Sequence, residues 1–201
     1  MRQFYTMRSF IDKDSLEGKL LVATPTVDGT IFDKSLIFIC AHDKEGAVGV
    51  MINKPVFAIT REELMKKTGI VATKRLDKKF TVFCGGPIEE NNLMVLTATP
   101  EQKKNFKTKQ VLTLYSNAER YLQDILAGEL NDDFLICKGF CSWAPGQLDE
   151  EVKDNSWILM VPDFKTIFAG QPAKKWKQAI KKAGIKDIQS LHSLVSYSGH
   201  A

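Results

Sequence analysis

Residues 139–151 read GFCSWAPGQLDEE and are separated by Lys138 from the apolar run FLIC at 134–137. Gly139 and Gly146 flank a tryptophan and a proline, a pattern that predicts the end of a strand, a tight bend and the start of a helix. The three acids at 149–151 would lie in the first helical turn, where the helix dipole favours negative charge. This stretch therefore predicts how two elements join, but it contains no reaction motif.

Eight short apolar runs bounded by turn residues predict strands. They lie at 19–24, 35–41, 47–53, 80–84, 93–98, 110–115, 134–141 and 157–161. Helices are predicted after the capping box of Thr60 and Glu63, at 118–126, near 148–152 and at 172–184. Pro55 is expected to end the third strand, and the lysine-rich segment 103–109 is expected to be a loop. Because strands cluster instead of alternating regularly with helices, the fold class is α+β with a mixed, largely antiparallel sheet.

The chain has 201 residues, 44% of them hydrophobic, and is large enough to bury roughly 70% of its unfolded surface. Residues 1–15 carry Arg2 and Arg8 but no continuous apolar stretch. They are therefore expected to form a flexible N-terminal arm rather than a secretion signal, and Met7 is an alternative start. Residues 16–201 are expected to form a single domain.

The formal net charge of +4 is mild but unevenly distributed. Residues 129–163 contain eight acids against two lysines, whereas residues 165–201 contain seven lysines against one acid. Neighbouring blocks of opposite sign are expected to compensate each other across the fold. The alternative is a nucleic-acid contact on the basic helix 173–183, where Lys174, Lys177 and Lys181 recur on one side.

The four cysteines, at 40, 84, 137 and 141, lack the spacing of a metal or redox motif. In a regular strand, Cys137 and Cys141 would share one face about 13 Å apart, too far for a disulfide. They are predicted to be buried apolar residues of a protein in a reducing compartment, so a cytoplasmic location is expected. No apolar run approaches the roughly 20 residues that cross a bilayer. No membrane partner, metal or cofactor is expected.

Two glycine-rich bends invite a chemical interpretation. Gly85 and Gly86 follow a strand as in a phosphate loop, but neither a Walker nor a GxGxxG pattern is complete, so a structural turn is preferred. In the second bend, Cys141 or Ser142 would act as a nucleophile only with a histidine base nearby. The sequence offers histidines at 42, 192 and 200, but nothing in it brings one of them to the bend.

The acids at 149–151 suggest a magnesium site, because hard oxygen ligands suit this ion. Consecutive helical residues point about 100° apart, however, so adjacent acids do not converge on one ion. An acidic helix start is the preferred interpretation.

Four motifs, taken in order, resemble the AlgH/YqgE family of bacterial proteins. They are LLVATP at 20–25, GAVGVMINKP at 46–55, FCGGPI at 83–88 and GFCSWAPGQLDEE at 139–151. The resemblance covers residues 16 to about 184, with Ser142 where the family often has a glycine. It implies a compact α+β fold with a strongly coiled, bifurcated mixed sheet flanked by helices.

The resemblance implies little about activity. The family provides no established catalytic residues, and some members are labelled transcriptional regulators. Most motif positions are turn or packing residues, which define a fold as easily as they form a ligand pocket. The candidate pocket or motif residues are Asn53, Pro55, Gly85, Gly86, Trp143, Gly146, Gln147 and Glu151.

Three functions remain open. The leading hypothesis is a non-catalytic cytosolic binding or regulatory protein with an unidentified protein or small-molecule partner. The second is nucleic-acid-linked transcriptional regulation through Lys174, Lys177 and Lys181 of the basic helix. The third is a magnesium-dependent hydrolase or nuclease that uses Glu150 or Glu151.

Overall fold

The computed structural model describes residues 15–69, 79–107, 112–116, 118–127 and 132–185. These residues form nine strands and six α-helices. The strands are Leu20–Ala23 (β1), Leu36–Asp43 (β2), Gly46–Met51 (β3), Pro55–Thr60 (β4), Lys79–Cys84 (β5), Ile88–Ala98 (β6), Thr113–Tyr115 (β7), Asp133–Trp143 (β8) and Trp157–Met160 (β9). The helices are Arg61–Thr68 (α1), Pro100–Asn105 (α2), Glu119–Ala127 (α3), Gln147–Lys153 (α4), Phe164–Phe168 (α5) and Pro172–Lys182 (α6).

All nine strands belong to one open, mixed sheet that branches at β8. The main path runs β4-β5-β8-β3-β2-β1-β9, and β6 also pairs with β8 and carries β7. The β5–β8 pair is parallel and the other pairs are antiparallel. The first part of β8 lies between β5 and β6, and its last residues pair with β3. The predicted α+β class and bifurcated, largely antiparallel sheet are confirmed.

Gly139 lies at the branch and has a left-handed backbone, with φ of +67°. Before it, Cys137 packs into one hydrophobic cluster, and after it Cys141 and Trp143 pack into another. Positive φ interrupts the alternation of side chains in a strand, so residues on either side of Gly139 no longer follow one period of two. The prediction that Cys137 and Cys141 share a face was therefore wrong, because it assumed an uninterrupted strand.

Three buried clusters hold the sheet. The main core includes Leu20, Phe38, Val50, Leu96 and Trp176 on one face, and helices α5 and α6 pack against it. The alternate residues of the same strands, whose side chains point to the other face of the sheet, form two further clusters there. The tyrosine cluster contains Tyr121, Leu122 and Leu64 under α1 and α3, and the tryptophan-pair cluster contains Trp143, Trp157 and Leu148 under α4.

Several local predictions are confirmed, two are wrong, and one helix was not predicted. Thr60 and Glu63 form the predicted capping box of α1, which ends at Gly69 in the left-handed conformation. Pro55 begins strand β4 instead of only ending the preceding strand, and its missing N–H suits a strand at the end of the sheet path. The predicted lysine-rich loop contains α2, which begins with a capping box of Thr99 and Gln102. Helix α5 was not predicted.

Some predictions fall outside the described residues. These include the arm at 1–14, Gln110 and Val111 of the predicted strand at 110–115, and His192 and His200. Ser15, the last residue of the predicted arm, is described and donates a hydrogen bond to the carbonyl of His42 at 2.9 Å. The division into an arm and a single domain stays a prediction.

Candidate functional site

The motif glycines lie where backbone segments cross at the branch of the sheet. Gly85 N donates to the Lys138 carbonyl at 2.7 Å, and the Gly85 carbonyl accepts from Met51 N at 2.8 Å. A Cβ on Gly85 would lie 2.1 Å from the Gly139 carbonyl oxygen, and one on Gly86 would lie 2.2 Å from the Phe140 carbonyl carbon. Only glycine permits this approach, which ties β5 to β8 and β3. The contacts favour a structural turn over a phosphate loop here.

The side chain of Asn53, which follows β3, forms hydrogen bonds with the backbone at the start of β2. Its Oδ1 accepts from Leu36 N at 2.7 Å, and its Nδ2 donates to the Lys34 carbonyl at 2.9 Å. The side chain is buried. Both ends of the amide therefore fix the start of β2, next to Lys34, whose φ is +52°. Pro55 lies two residues further on and pairs with Phe83 of β5.

Glu151 on α4 joins two buried tryptophans. Its Oε2 accepts from the indole nitrogens of Trp143 and Trp157, each at 2.8 Å, and its Oε1 accepts from Gln147 Nε2 at 2.9 Å. Gln147 Oε1 in turn accepts from Ala144 N at 2.9 Å and closes the bend around Gly146. The two indole rings meet edge to face with centroids 6.5 Å apart. We call these four side chains, of Trp143, Gln147, Glu151 and Trp157, the tryptophan clasp.

The candidate polar residues are therefore occupied by contacts within the protein. Asn53 accepts a hydrogen bond from the backbone at the start of β2, and Gln147 and Glu151 belong to the tryptophan clasp. A ligand-binding role stays a prediction for them. Their contacts favour the interpretation that they define the fold, because a carboxylate with three donors has little capacity left for a ligand.

Within the part of the chain that the structure describes, the bend does not assemble a nucleophile with a base. Cys141 is buried, its Sγ donates to the Gly85 carbonyl at 3.3 Å, and burial raises the pKa of its thiol well above the ordinary value. Burial also raises the pKa of Cys137 to about 12. Ser142 is exposed, and both ring nitrogens of His42 have other partners. A thiol held as the neutral form is a poor nucleophile.

The acids of α4 also have separate partners. Asp149 Oδ2 lies 3.3 Å from His42 Nε2, whereas Glu151 serves the tryptophan clasp. Among the described residues, no group of three or more His, Cys, Asp or Glu side chains is arranged to hold a metal ion. Within the described residues, the predicted magnesium site therefore has no set of side chains that could serve as its ligands.

The lysines of the basic helix lie where they were predicted. Lys174, Lys177 and Lys181 are exposed on α6, and none forms an ion pair within the described part of the chain. Trp176 and Ile180 pack into the main core as expected. Lys175 was missed: it is 3% exposed and donates to the Ile167 carbonyl at 2.6 Å. Its position one turn before Ala179 and next to Trp176 was the available signal.

The charges of the helices differ between the two faces of the sheet. Helices α2, α5 and α6, on the main-core face, carry eight lysines against one glutamate. Helices α1, α3 and α4, on the other face, carry five basic against seven acidic residues. The acidic block 129–163 and the basic block 165–201 were expected to compensate each other. Within the described residues only one ion pair, between Lys182 and Asp163, joins these two blocks, so the compensation is small. We call the outer surface of α2, α5 and α6 the lysine face.

A family model described as AlgH-like matches residues 20–187 of this chain. The chain belongs to the AlgH-like family. A UPF0301 protein from Paracoccus denitrificans is 32% identical over 191 residues, which cover 93% of this chain and 97% of the relative. A UPF0301 protein from Erwinia tasmaniensis is 30% identical over 192 residues, which cover 93% of this chain and all of the relative, 100%. The predicted family is confirmed.

Two solved structures share the fold of this AlgH-like chain. The solution structure of the AlgH protein from Pseudomonas aeruginosa aligns with a TM-score of 0.68 and 22% identity, over 97% of this chain and 100% of that one. A crystal structure of a Corynebacterium diphtheriae protein aligns with a TM-score of 0.61 and 18% identity, over 83% and 86% of the two chains. Within the described residues, none of the helices of the AlgH-like chain has the length and apolar character to cross a membrane.

Proposed function

We propose that this AlgH-like chain is a non-catalytic binding or regulatory protein of the cytosol and that the lysine face is its contact surface. The observation that carries the proposal is the one-sided distribution of helix charge, with eight lysines against one glutamate on α2, α5 and α6. Five exposed lysines of the lysine face, at 104, 165, 174, 177 and 181, form no ion pair within the described residues. Four free cysteines suit the reducing interior of a cell.

A polyanion, and specifically the backbone of a nucleic acid, is the partner class that matches this surface. Lys174, Lys177 and Lys181 recur at intervals of three and four residues, so they follow one side of α6 over about 10 Å. Lysine contacts phosphate as a point charge without reading the bases. The less basic helices on the opposite face of the sheet would point away from the bound nucleic acid. The protein would therefore bind it through the lysine face.

The contacts of the other candidate residues support a non-catalytic role. The polar motif side chains are bound to the protein's own backbone and tryptophans, and the thiols of Cys137 and Cys141 are buried. Catalysis would require at least one of these groups to leave its partners before it could reach a substrate. A binding role requires no such change, because the lysine face is already exposed.

The test is a fluorescence-anisotropy titration with labelled duplex, four-way-junction and single-stranded nucleic acids at low and physiological salt. We expect saturable binding whose affinity falls steeply with salt. The triple variant Lys174→Glu, Lys177→Glu, Lys181→Glu should bind at least tenfold more weakly. The matched control is Lys44→Glu, Arg120→Glu, Lys153→Glu, which changes the net charge equally but away from the lysine face.

Three outcomes would contradict the proposal. Equal losses in both triple variants would show that net charge, and not the lysine face, governs binding. Hydrolysis of a phosphoester or acyl substrate by the pure protein, abolished by Glu151→Gln in a folded variant, would reject the non-catalytic role. Absence of binding at low salt would remove nucleic acid as the partner class.

A further inference from the structure

His42 connects three parts of the fold through its imidazole ring. The ring lies at the end of β2, and its side chain is 10% exposed. Leu16 N donates to Nδ1 at 2.9 Å, and Nε2 lies 3.3 Å from Asp149 Oδ2 on α4. A nitrogen that accepts a hydrogen bond carries no proton, so the neutral tautomer protonated on Nε2 fits both contacts.

The same histidine anchors the segment that enters the sheet. Ser15 Oγ donates to the His42 carbonyl at 2.9 Å and accepts from Glu17 N at 3.2 Å. Leu16 packs against the tryptophan-pair cluster, and Gly18 N donates to the Ile39 carbonyl at 2.9 Å. Residues 15–17 are thus attached to β2 largely through the backbone and the ring of His42.

We propose that His42 is a pH-operated latch for this entry segment. When Nδ1 gains a proton, it becomes a donor that faces the Leu16 N–H, and the hydrogen bond between them is lost. The contact between Nε2 and Asp149 does not need an unprotonated Nδ1, so the ring stays attached to α4 while the Leu16 N–H loses its acceptor. Histidine is the side chain whose charge ordinarily changes between about pH 5 and 8.

Charged side chains of both signs lie on the elements around His42. Asp149 on α4 favours the protonated ring, and its side chain is 43% exposed, so solvent weakens this attraction. Glu17 lies on the entry segment, and Asp43, Lys44 and Glu45 follow His42 in the β2–β3 hairpin. Lys44 pairs with Glu45 at 3.7 Å on the surface. Asp149 contacts Nε2 and not Nδ1, so it provides no new acceptor for the Leu16 N–H, and protonation of Nδ1 still opens the latch.

The experiment follows hydrogen exchange of the Leu16 amide by NMR at pH 7.5 and 5.5, each corrected for the intrinsic exchange rate. We expect its protection to fall at least tenfold at pH 5.5, while the Met51 amide, which donates to the Gly85 carbonyl, stays protected. His42→Asn places an amide oxygen near the position of Nδ1 and cannot gain a proton. This variant should keep Leu16 protected at both pH values.

His42→Gln is the complementary variant, because its amide reaches the position of Nε2 and leaves Leu16 without an acceptor. Its Leu16 protection should be low at both pH values. An unchanged Leu16 protection at pH 5.5 in the unmodified protein would overturn the latch. So would an equal fall in His42→Asn, which retains His192 and His200 and would trace the pH response to another group.

Discussion

Trp143 and Trp157 donate their indole N–H groups to the same carboxylate oxygen, Glu151 Oε2, each at 2.8 Å. Both rings are buried, so neither donor could turn to water if the carboxylate were removed. An unpaired buried donor costs about 1–3 kcal/mol. We therefore expect Glu151→Ala to lower the free energy of unfolding by about 2–4 kcal/mol, measured by denaturant titration.

Two further variants separate this effect from the loss of a surface charge. Glu151→Gln retains one acceptor oxygen and should cost less than Glu151→Ala. Glu150→Ala removes the exposed neighbouring acid and should change stability by no more than about 0.5 kcal/mol. If Glu151→Ala and Glu150→Ala had equal effects, the tryptophan clasp would not contribute to stability.

Gly86 and Gly146 form a matched pair for testing the branch of the sheet. A Cβ on Gly86 would lie 2.2 Å from the Phe140 backbone, whereas one on Gly146 has no heavy atom within 4 Å. Gly146→Ala should cost about 1–2 kcal/mol, because its φ of +75° is strained for alanine. Gly86→Ala should cost at least about 2 kcal/mol more, since backbone must move. Thermal unfolding of both variants tests the difference, and equal losses would contradict the close crossing.

Asn53 tests whether the start of β2 depends on a single amide. Asn53→Ala removes an acceptor and a donor from buried backbone partners, so we expect a loss of about 2–3 kcal/mol in unfolding experiments. Asn53→Asp retains the acceptor for Leu36 N but places a carboxylate oxygen against the Lys34 carbonyl. This variant should regain stability as the pH falls and the carboxyl becomes protonated. A loss that does not depend on pH would exclude that contact.

Local signals in the sequence predicted eight of the nine described strands and four of the six described α-helices. The capping box of Thr60 and Glu63 and the proline that begins α6 act through neighbours within four residues, so the sequence shows them directly. The same chemistry begins α2 at Thr99 and Gln102, but the surrounding lysines suggested a loop. Strand β4 was missed because its Pro55 is a breaker inside a sheet yet is tolerated at the end of the sheet path.

The contacts of the candidate site could not be predicted in the same way. Asn53 binds backbone 17 and 19 residues away, and Gly85 meets β8 across 54 residues of sequence, at Gly139. Such pairs depend on the branch of the sheet, which only the assembled strands define. The division of charge between two faces was hidden for the same reason, because α4 and α6 are near in sequence but lie on opposite sides of the sheet.

Lys175 predicts a pH dependence that its exposed neighbours do not share. Burial lowers the pKa of Lys175 to about 8, although nearby Cys137 acts in the opposite direction. An unfolded lysine has a pKa of about 10.4, so between these two values the unfolded chain holds a proton that the folded chain has released. Unfolding then takes up a proton, and the free energy of unfolding rises with pH across this window. Below about pH 8 the full cost of burying the charge is present.

The comparison with Lys175→Met isolates this contribution. From pH 7.5 to 10, the unmodified protein should gain up to about 3 kcal/mol of stability relative to Lys175→Met, measured by urea unfolding at each pH. Lys177→Met is the matched control, because Lys177 is exposed two residues away, and it should follow the unmodified protein. The buried thiols, whose raised pKa values lower native stability at alkaline pH, are common to all three proteins and largely cancel. A constant difference between Lys175→Met and the unmodified protein would show that Lys175 reaches solvent and keeps its proton in the folded state.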